Sequence, residues 1–143
     1  MAALVVDSSV VIKWYVAEEH AAQAATIRDA YRGGELELLV PDLFYAEIGN
    51  IVWKKQQHQG LDEVNARRVI DAVLALPLDA TPSSRLLPEA YRLAVRHGRT
   101  VYDSLYLALA LTVGCPFVTA DRKLANSVAS AVPGVVWLAD WRA

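Results

Sequence analysis

An α/β fold with a mainly parallel sheet is the class this sequence predicts, and three observations predict it. Short apolar runs alternate with longer stretches of helical periodicity along the 143 residues, as when strands are joined through helices. The runs are solidly apolar instead of alternating apolar and polar, as in strands covered on both faces. Hydrophobic residues make up 55% of the chain, enough to supply both faces. The length suits one domain over 1–143, since domains usually run about 100–150 residues.

The elements follow in order. Leu4-Val5-Val6 is a buried first strand. Ser9 to about Tyr15 is helical, and Ala21–Tyr31 is rich in good helix formers, stopped by Gly33-Gly34. Leu36–Val40 is strand two. Pro41 suits the first turn of a helix, so a helix is expected to open there and run to about Gln59. Leu61, Val64, Ile70, Val73 and Leu74 mark the apolar stripe of another helix. Leu76-Pro77-Leu78 is expected as a third strand, its proline assigning it to a sheet edge. Arg85–His97 is helical up to Gly98, and Val101–Val113 up to Gly114. Phe117-Val118-Thr119 is strand four, Arg122–Ala129 a short helix, and Val135–Leu138 strand five.

Composition excludes several classes. The formal net charge is −2, so no global basic field draws nucleic acid, and any such contact is local or acts through a metal. A single cysteine, Cys115, excludes an internal disulfide and a cysteine-rich zinc site, and its place between Gly114 and Pro116 suits a small filler at a helix–strand junction. His20, His58 and His97 lack metal-ligand spacing. No apolar run approaches the roughly 20 residues of a membrane span. The first residues have no basic n-region and lead straight into a strand, so a cytoplasmic protein is expected. There is no Gly-rich nucleotide loop.

Four acids stand in apolar or small-residue surroundings, where a lone carboxylate is costly: Asp7, Glu47, Asp103 and Asp121. Asp7 and Asp121 directly follow strands one and four, where α/β sheets bind ligands. Each could instead be a helix N-cap, although Ser8 or Ser9 could cap in place of Asp7. Thr100 and Asp103 have capping-box spacing, yet Asp103 opens a helix apolar nearly all round, which belongs at the centre of a fold. Glu47 lies well inside a helix beside Leu43, Phe44, Asn50 and Ile51 at helical spacing. It is either a glutamate at the edge of the apolar seam or one that faces a polar pocket. Gathered carboxylates repel one another unless a cation joins them. The cation suited to carboxylate oxygens is magnesium or manganese. Such an ion activates water and stabilises charge on phosphate, so phosphodiester hydrolysis is the chemistry most natural to the cluster.

Four segments carry a family resemblance. They are Val5-Val6-Asp7-Ser8-Ser9-Val10, Pro41-Asp42-Leu43 through Glu47-Ile48-Gly49-Asn50, Tyr102–Ala108, and Phe117–Leu124. In order and at these spacings they resemble the acidic motifs of PIN-domain ribonucleases. Across nearly the whole chain the arrangement resembles the VapC toxins of bacterial toxin–antitoxin pairs. The resemblance implies a PIN-like domain with a five-stranded sheet in the order 3-2-1-4-5. It implies a metal-dependent endoribonuclease in which Asp7, Glu47, Asp103 and Asp121 hold magnesium or manganese, with supporting roles for Thr119, Ser8 and Asn50. A homodimer and a VapB-like antitoxin partner are implied as well. Ser8 stands where many relatives carry threonine, and it keeps the hydroxyl.

Arg85, Arg92, Arg96, His97 and Arg99 give the late helix a basic character, read either as a solvated face or as a phosphate track. Arg96, Arg99, Arg122 and Lys123 are the candidate RNA contacts. Lys13 could reach the site or solvent. Trp14, Tyr15, Tyr31 and Trp53 suit core packing, or for the two tryptophans a groove for a partner helix; Trp137 and Trp141 suit packing of the C-terminal strand. Two rival functions fit parts of the same pattern. A phosphotransfer protein also places acids at strand ends, but Asp7-Ser8-Ser9 lacks the second acid of an aspartate phosphatase. A non-catalytic binding module would use the same acids as caps only.

Overall fold

The structure is a computed structural model and describes residues 1–142. It holds five strands, β1 (Ala2–Val6), β2 (Leu36–Pro41), β3 (Asp79–Thr81), β4 (Phe117–Thr119) and β5 (Val135–Trp137). Seven α-helices join them: α1 (Ser8–Val11), α2 (Ala21–Arg32), α3 (Leu43–His58), α4 (Glu63–Leu74), α5 (Ser83–His97), α6 (Val101–Val113) and α7 (Arg122–Val128). A 3-10 turn, Ile12–Trp14, continues α1.

The sheet order is β3-β2-β1-β4-β5 and every pairing is parallel, as expected. Successive side chains of a strand point to opposite faces, and β1 shows the consequence. Leu4 and Val6 join Leu38, Val40 and Val118 in a core shared with α1 to α4. Val5, between them, joins Leu39 and Phe117 in a second core closed by α5, α6 and α7. α6 lies deepest: all seven residues from Ser104 to Ala110 are buried, which explains why its sequence is apolar on every side. β1 lies between β2 and β4, so the strand order reverses there, and a crevice is expected beyond the strand ends.

Three expected boundaries move. Pro41 does not open a helix; it is the last residue of β2, paired with Thr81, and α3 begins two residues later at Leu43. A missing N–H is harmless there, because the next residue continues the ladder, Asp42 N donating to Thr81 O at 2.9 Å. The third strand is not Leu76–Leu78 but Asp79–Thr81. Leu78 N turns back to Leu76 O at 2.9 Å, and Pro77 has no N–H to give, so pairing starts only after both. It remains an edge strand, as the proline suggested. α5 starts at Ser83 instead of Arg85, because Asp42 Oδ1 accepts from Ser83 N at 3.0 Å and anchors the helix start. Cys115 is half-buried between α6 and β4, close to the expected role. Among the described residues no helix is long and apolar enough to cross a membrane.

Candidate active site

β1 and β4 run side by side and deliver Asp7 and Thr119 to the same end of the sheet. Asp7 is buried and serves both readings at once. Its Oδ1 accepts from Ser9 N at 3.1 Å and so caps α1, while Oδ2 accepts from Thr119 Oγ1 at 2.8 Å. Neither Ser8 nor Ser9 replaces it as the cap. Ser9 Oγ instead accepts from Ala120 N at 3.2 Å, and Thr119 Oγ1 accepts from Asp121 N at 3.0 Å. These bonds stitch the loop after β1 to the loop after β4.

Ser8 links the first two acids. Its hydroxyl lies 3.1 Å from Asp7 Oδ1 and 3.4 Å from Glu47 Oε1. Glu47 therefore faces the pocket and not the edge of the apolar seam. Tyr106 Oη donates to the same Glu47 oxygen at 2.5 Å. Asn50 is exposed and makes no hydrogen bond to the acids; it lines a surface hollow of about 250 Å³ with Leu43, Ala46, Glu47 and Tyr102.

Asp103 and Asp121 form a second pair. Thr100 Oγ1 accepts from Asp103 N at 3.0 Å, so threonine, not the Asp103 carboxylate, caps α6. Asp121 caps α7 with Oδ1, which accepts from Leu124 N at 3.1 Å. Arg99 Nη2 lies 2.9 Å from Asp103 Oδ2 and 3.8 Å from Asp121 Oδ2. Burial pushes Asp7 upward from the usual carboxylate range, and the Asp103 charge adds to it, against the hydrogen bonds from Thr119, Ser9 and Ser8. Glu47 is pushed up to about 7, first by burial and further by the Asp7 and Asp103 charges. The mutual effect places Asp7, Glu47 and Asp103 within one electrostatic neighbourhood.

The other candidates separate. Arg96 and Lys123 are exposed at the end of α5 and on α7. Arg122 lies over the Trp137 ring, 5.0 Å from its centroid. Lys13 turns to Glu18 at 3.7 Å, a carboxylate that also holds Lys55 at 2.8 Å, so it is not aimed at the acids. Trp14 packs inside, its Nε1 donating to Ala24 O at 2.9 Å, whereas Trp53 is exposed.

Tyr106 is the site residue that sequence reasoning passed over. The signal was present: it is three residues after Asp103, on the same helix face, and it carries a hydroxyl within the apolar run Leu105–Leu111. Its ring stacks on Phe117 with centroids 5.4 Å apart, which fixes the hydroxyl against Glu47.

A family model described as the PIN domain matches residues 4–128. The chain belongs to the PIN-domain family. Within it, the chain is 36% identical over 125 residues to Ribonuclease VapC3 of Pyrobaculum aerophilum, covering 86% of this chain and 92% of that one. The crystal structure of PAE2754 from Pyrobaculum aerophilum matches with a TM-score of 0.72 and 27% identity, over 96% of this chain and 85% of that one. A chain of a toxin–antitoxin complex from Klebsiella pneumoniae has the same fold, with a TM-score of 0.61, 18% identity and coverage of 94% and 97%. The PIN-type order of strands and the VapC likeness agree with what the four motifs implied.

The donor set is all oxygen, from carboxylates and hydroxyls, which suits a hard divalent ion. Burial and the neighbouring carboxylates push Asp7 and Glu47 upward, and a divalent ion would relieve that. In their present positions no three acid, histidine or cysteine side chains among the described residues converge into a ligand set. Asp103 Oδ2 is engaged by Arg99 instead.

Proposed function

We propose that the protein is a metal-dependent endoribonuclease, the toxin of a toxin–antitoxin pair, built as one PIN-like domain over 1–143. The observation that carries this reading is the linked set Thr119–Asp7–Ser8–Glu47–Tyr106, with Asp103 beside it, at the sheet end of a PIN-family chain. The likeness to a protein named as a VapC ribonuclease supports RNA as the substrate.

Asp7, Glu47, Asp103 and Asp121 are the residues to hold magnesium or manganese. When bound, such an ion neutralises charge on the phosphate and lowers the pKa of water. The chain's own residues prepare the site. Thr119 and Ser9 fix the Asp7 carboxylate, Tyr106 and Ser8 fix Glu47, and the hollow beside Asn50 gives solvent-side access. In hydrolysis the water oxygen bonds to phosphorus in line while the P–O3′ bond breaks. The products are a 5′-phosphate and a 3′-hydroxyl. Arg96, Arg122 and Lys123 are assigned to the RNA backbone.

A VapB-like antitoxin and a homodimer belong to the same reading, with a cytoplasmic location. The fold match to a chain solved in a toxin–antitoxin complex supports the first. Exposed Leu87, Tyr91 and Val95, at four-residue spacing along α5, offer an apolar stripe for association. The test is cleavage of RNA by purified protein with magnesium, with chelator, and as Asp7→Asn. Cleavage that persists in chelator and in Asp7→Asn alike sinks the reading. Absence of magnesium and manganese binding in calorimetry favours a non-catalytic module of the same fold.

A further inference from the structure

Among the described residues, Arg99 is the one cation that an ion pair brings against the four acids. It sits between Gly98, which ends α5 in the left-handed conformation at φ 64°, and Thr100, which caps α6. That short connection turns the side chain back over the start of α6. A single nitrogen, Nη2, reaches carboxylates from two different elements, 2.9 Å to Asp103 and 3.8 Å to Asp121. The side chain is only 23% exposed, and its Nε is buried without a hydrogen-bond partner. A guanidinium keeps its charge at any working pH, and leaving one of its donors unmet is unfavourable. The two carboxylates are what hold it there.

The acids are thereby divided. Asp7 and Glu47 share Ser8 and have no cation; Asp103 and Asp121 share Arg99. The other basic residues are committed elsewhere or exposed: Lys13 to Glu18, Arg122 to Trp137, Arg96 and Lys123 in solvent. Resting on the reading that these acids take a divalent ion, we infer that Arg99 is a built-in counter-cation that holds Asp103 to Asp121 in the metal-free protein and competes with the ion for their oxygens. The Asp103 oxygen that Arg99 holds is one of those the ion would need. Arg99 is a positioning residue, acting through the carboxylates. Competition for shared oxygens is reciprocal, so whatever Arg99 loses on metal binding appears as weakened metal affinity.

The test uses the full chain without RNA and titrates manganese by calorimetry into wild type, Arg99→Gln and Arg99→Lys. Glutamine keeps a polar hydrogen-bonding end on a shorter side chain and removes the charge. Arg99→Gln is expected to bind manganese about tenfold more tightly, within the roughly 5–150-fold range of such couplings, and to melt lower than wild type when metal-free. Arg99→Lys, which keeps a point charge, is expected to stay near wild type. A second measurement reads wild type directly: the Arg99 Nε–H signal in nitrogen-edited NMR, assigned by its loss in Arg99→Lys, should shift as magnesium saturates the site. Equal or weaker manganese binding by Arg99→Gln, or an Arg99 signal unmoved at saturation, overturns the inference. If wild type still binds manganese in that case, the metal-dependent reading survives it. If neither wild type nor Arg99→Gln binds manganese, both fall.

Discussion

Asp7 does two things with one carboxylate, and the division between its oxygens explains how. Oδ1 serves α1 and Oδ2 serves Thr119, so the charge is held in place before any ligand arrives. Asp7→Asn keeps an acceptor for the cap and removes a buried charge. The metal-free variant is expected to melt no lower than wild type in a thermal scan. RNA cleavage should fall by about 100-fold or more, as when one electrostatic group of an active site is removed. Tyr106→Phe takes away the Glu47 donor while keeping the ring on Phe117. It is expected to lower stability in urea by about 1–2 kcal/mol with an unchanged m value. Glu47 has an ordinary value of 4.5 and is pushed up to about 7 in the fold. Between those values the folded protein binds a proton that the unfolded chain does not. The stability from protonated Glu47 is therefore full below about 4.5 and is lost as pH rises through about 7; Asp7 acts in the same direction. Metal-free protein should melt at higher temperature at pH 5.5 than at pH 8, and Glu47→Gln should flatten that difference.

At the scale of elements, α6 both packs the fold and carries Asp103 and Tyr106. Leu107 is wholly buried whereas Leu111, four residues on, is exposed. Leu107→Ala is expected to cost about 2–5 kcal/mol, and Leu111→Ala about 0.5 kcal/mol or less; chemical denaturation separates them. The element boundaries show what local patterns convey. α6 was legible because its capping threonine, apolar run and Gly114 all agree. β3 was misread because Leu76-Pro77-Leu78 has strand composition, while pairing depends on which residues have free N–H groups facing Pro41 and Val40. The start of α5 was hidden for a similar reason: its anchor, Asp42, is 41 residues away.

At the scale of the molecule, the reversal of strand order at β1 and β4 is what brings Asp7 and Thr119 to the same end of the sheet. The net charge of −2 supplies no global basic field, so under the proposed function RNA would be held by few contacts. With Arg96, Arg122 and Lys123 on the backbone, the plot of log affinity against log salt should have a slope of about −2, from roughly −0.7 per contact on single strands. Replacing any one of the three with alanine should flatten it by about 0.7, measured by fluorescence anisotropy with catalytically silent Asp7→Asn. The strand count and the helices could be read from the sequence, because burial patterns and stop residues are local signals. So could the PIN likeness, carried by motifs that are each continuous in the chain. The tertiary structure decided the rest. It turned Glu47 toward Ser8 and Tyr106, gave Arg99 to Asp103 and Asp121, and sent Lys13 to Glu18 and Arg122 to Trp137. Those pairings join residues far apart in the chain or choose among several charged neighbours, and only the packing of helices over the sheet brings one partner within reach and buries it there.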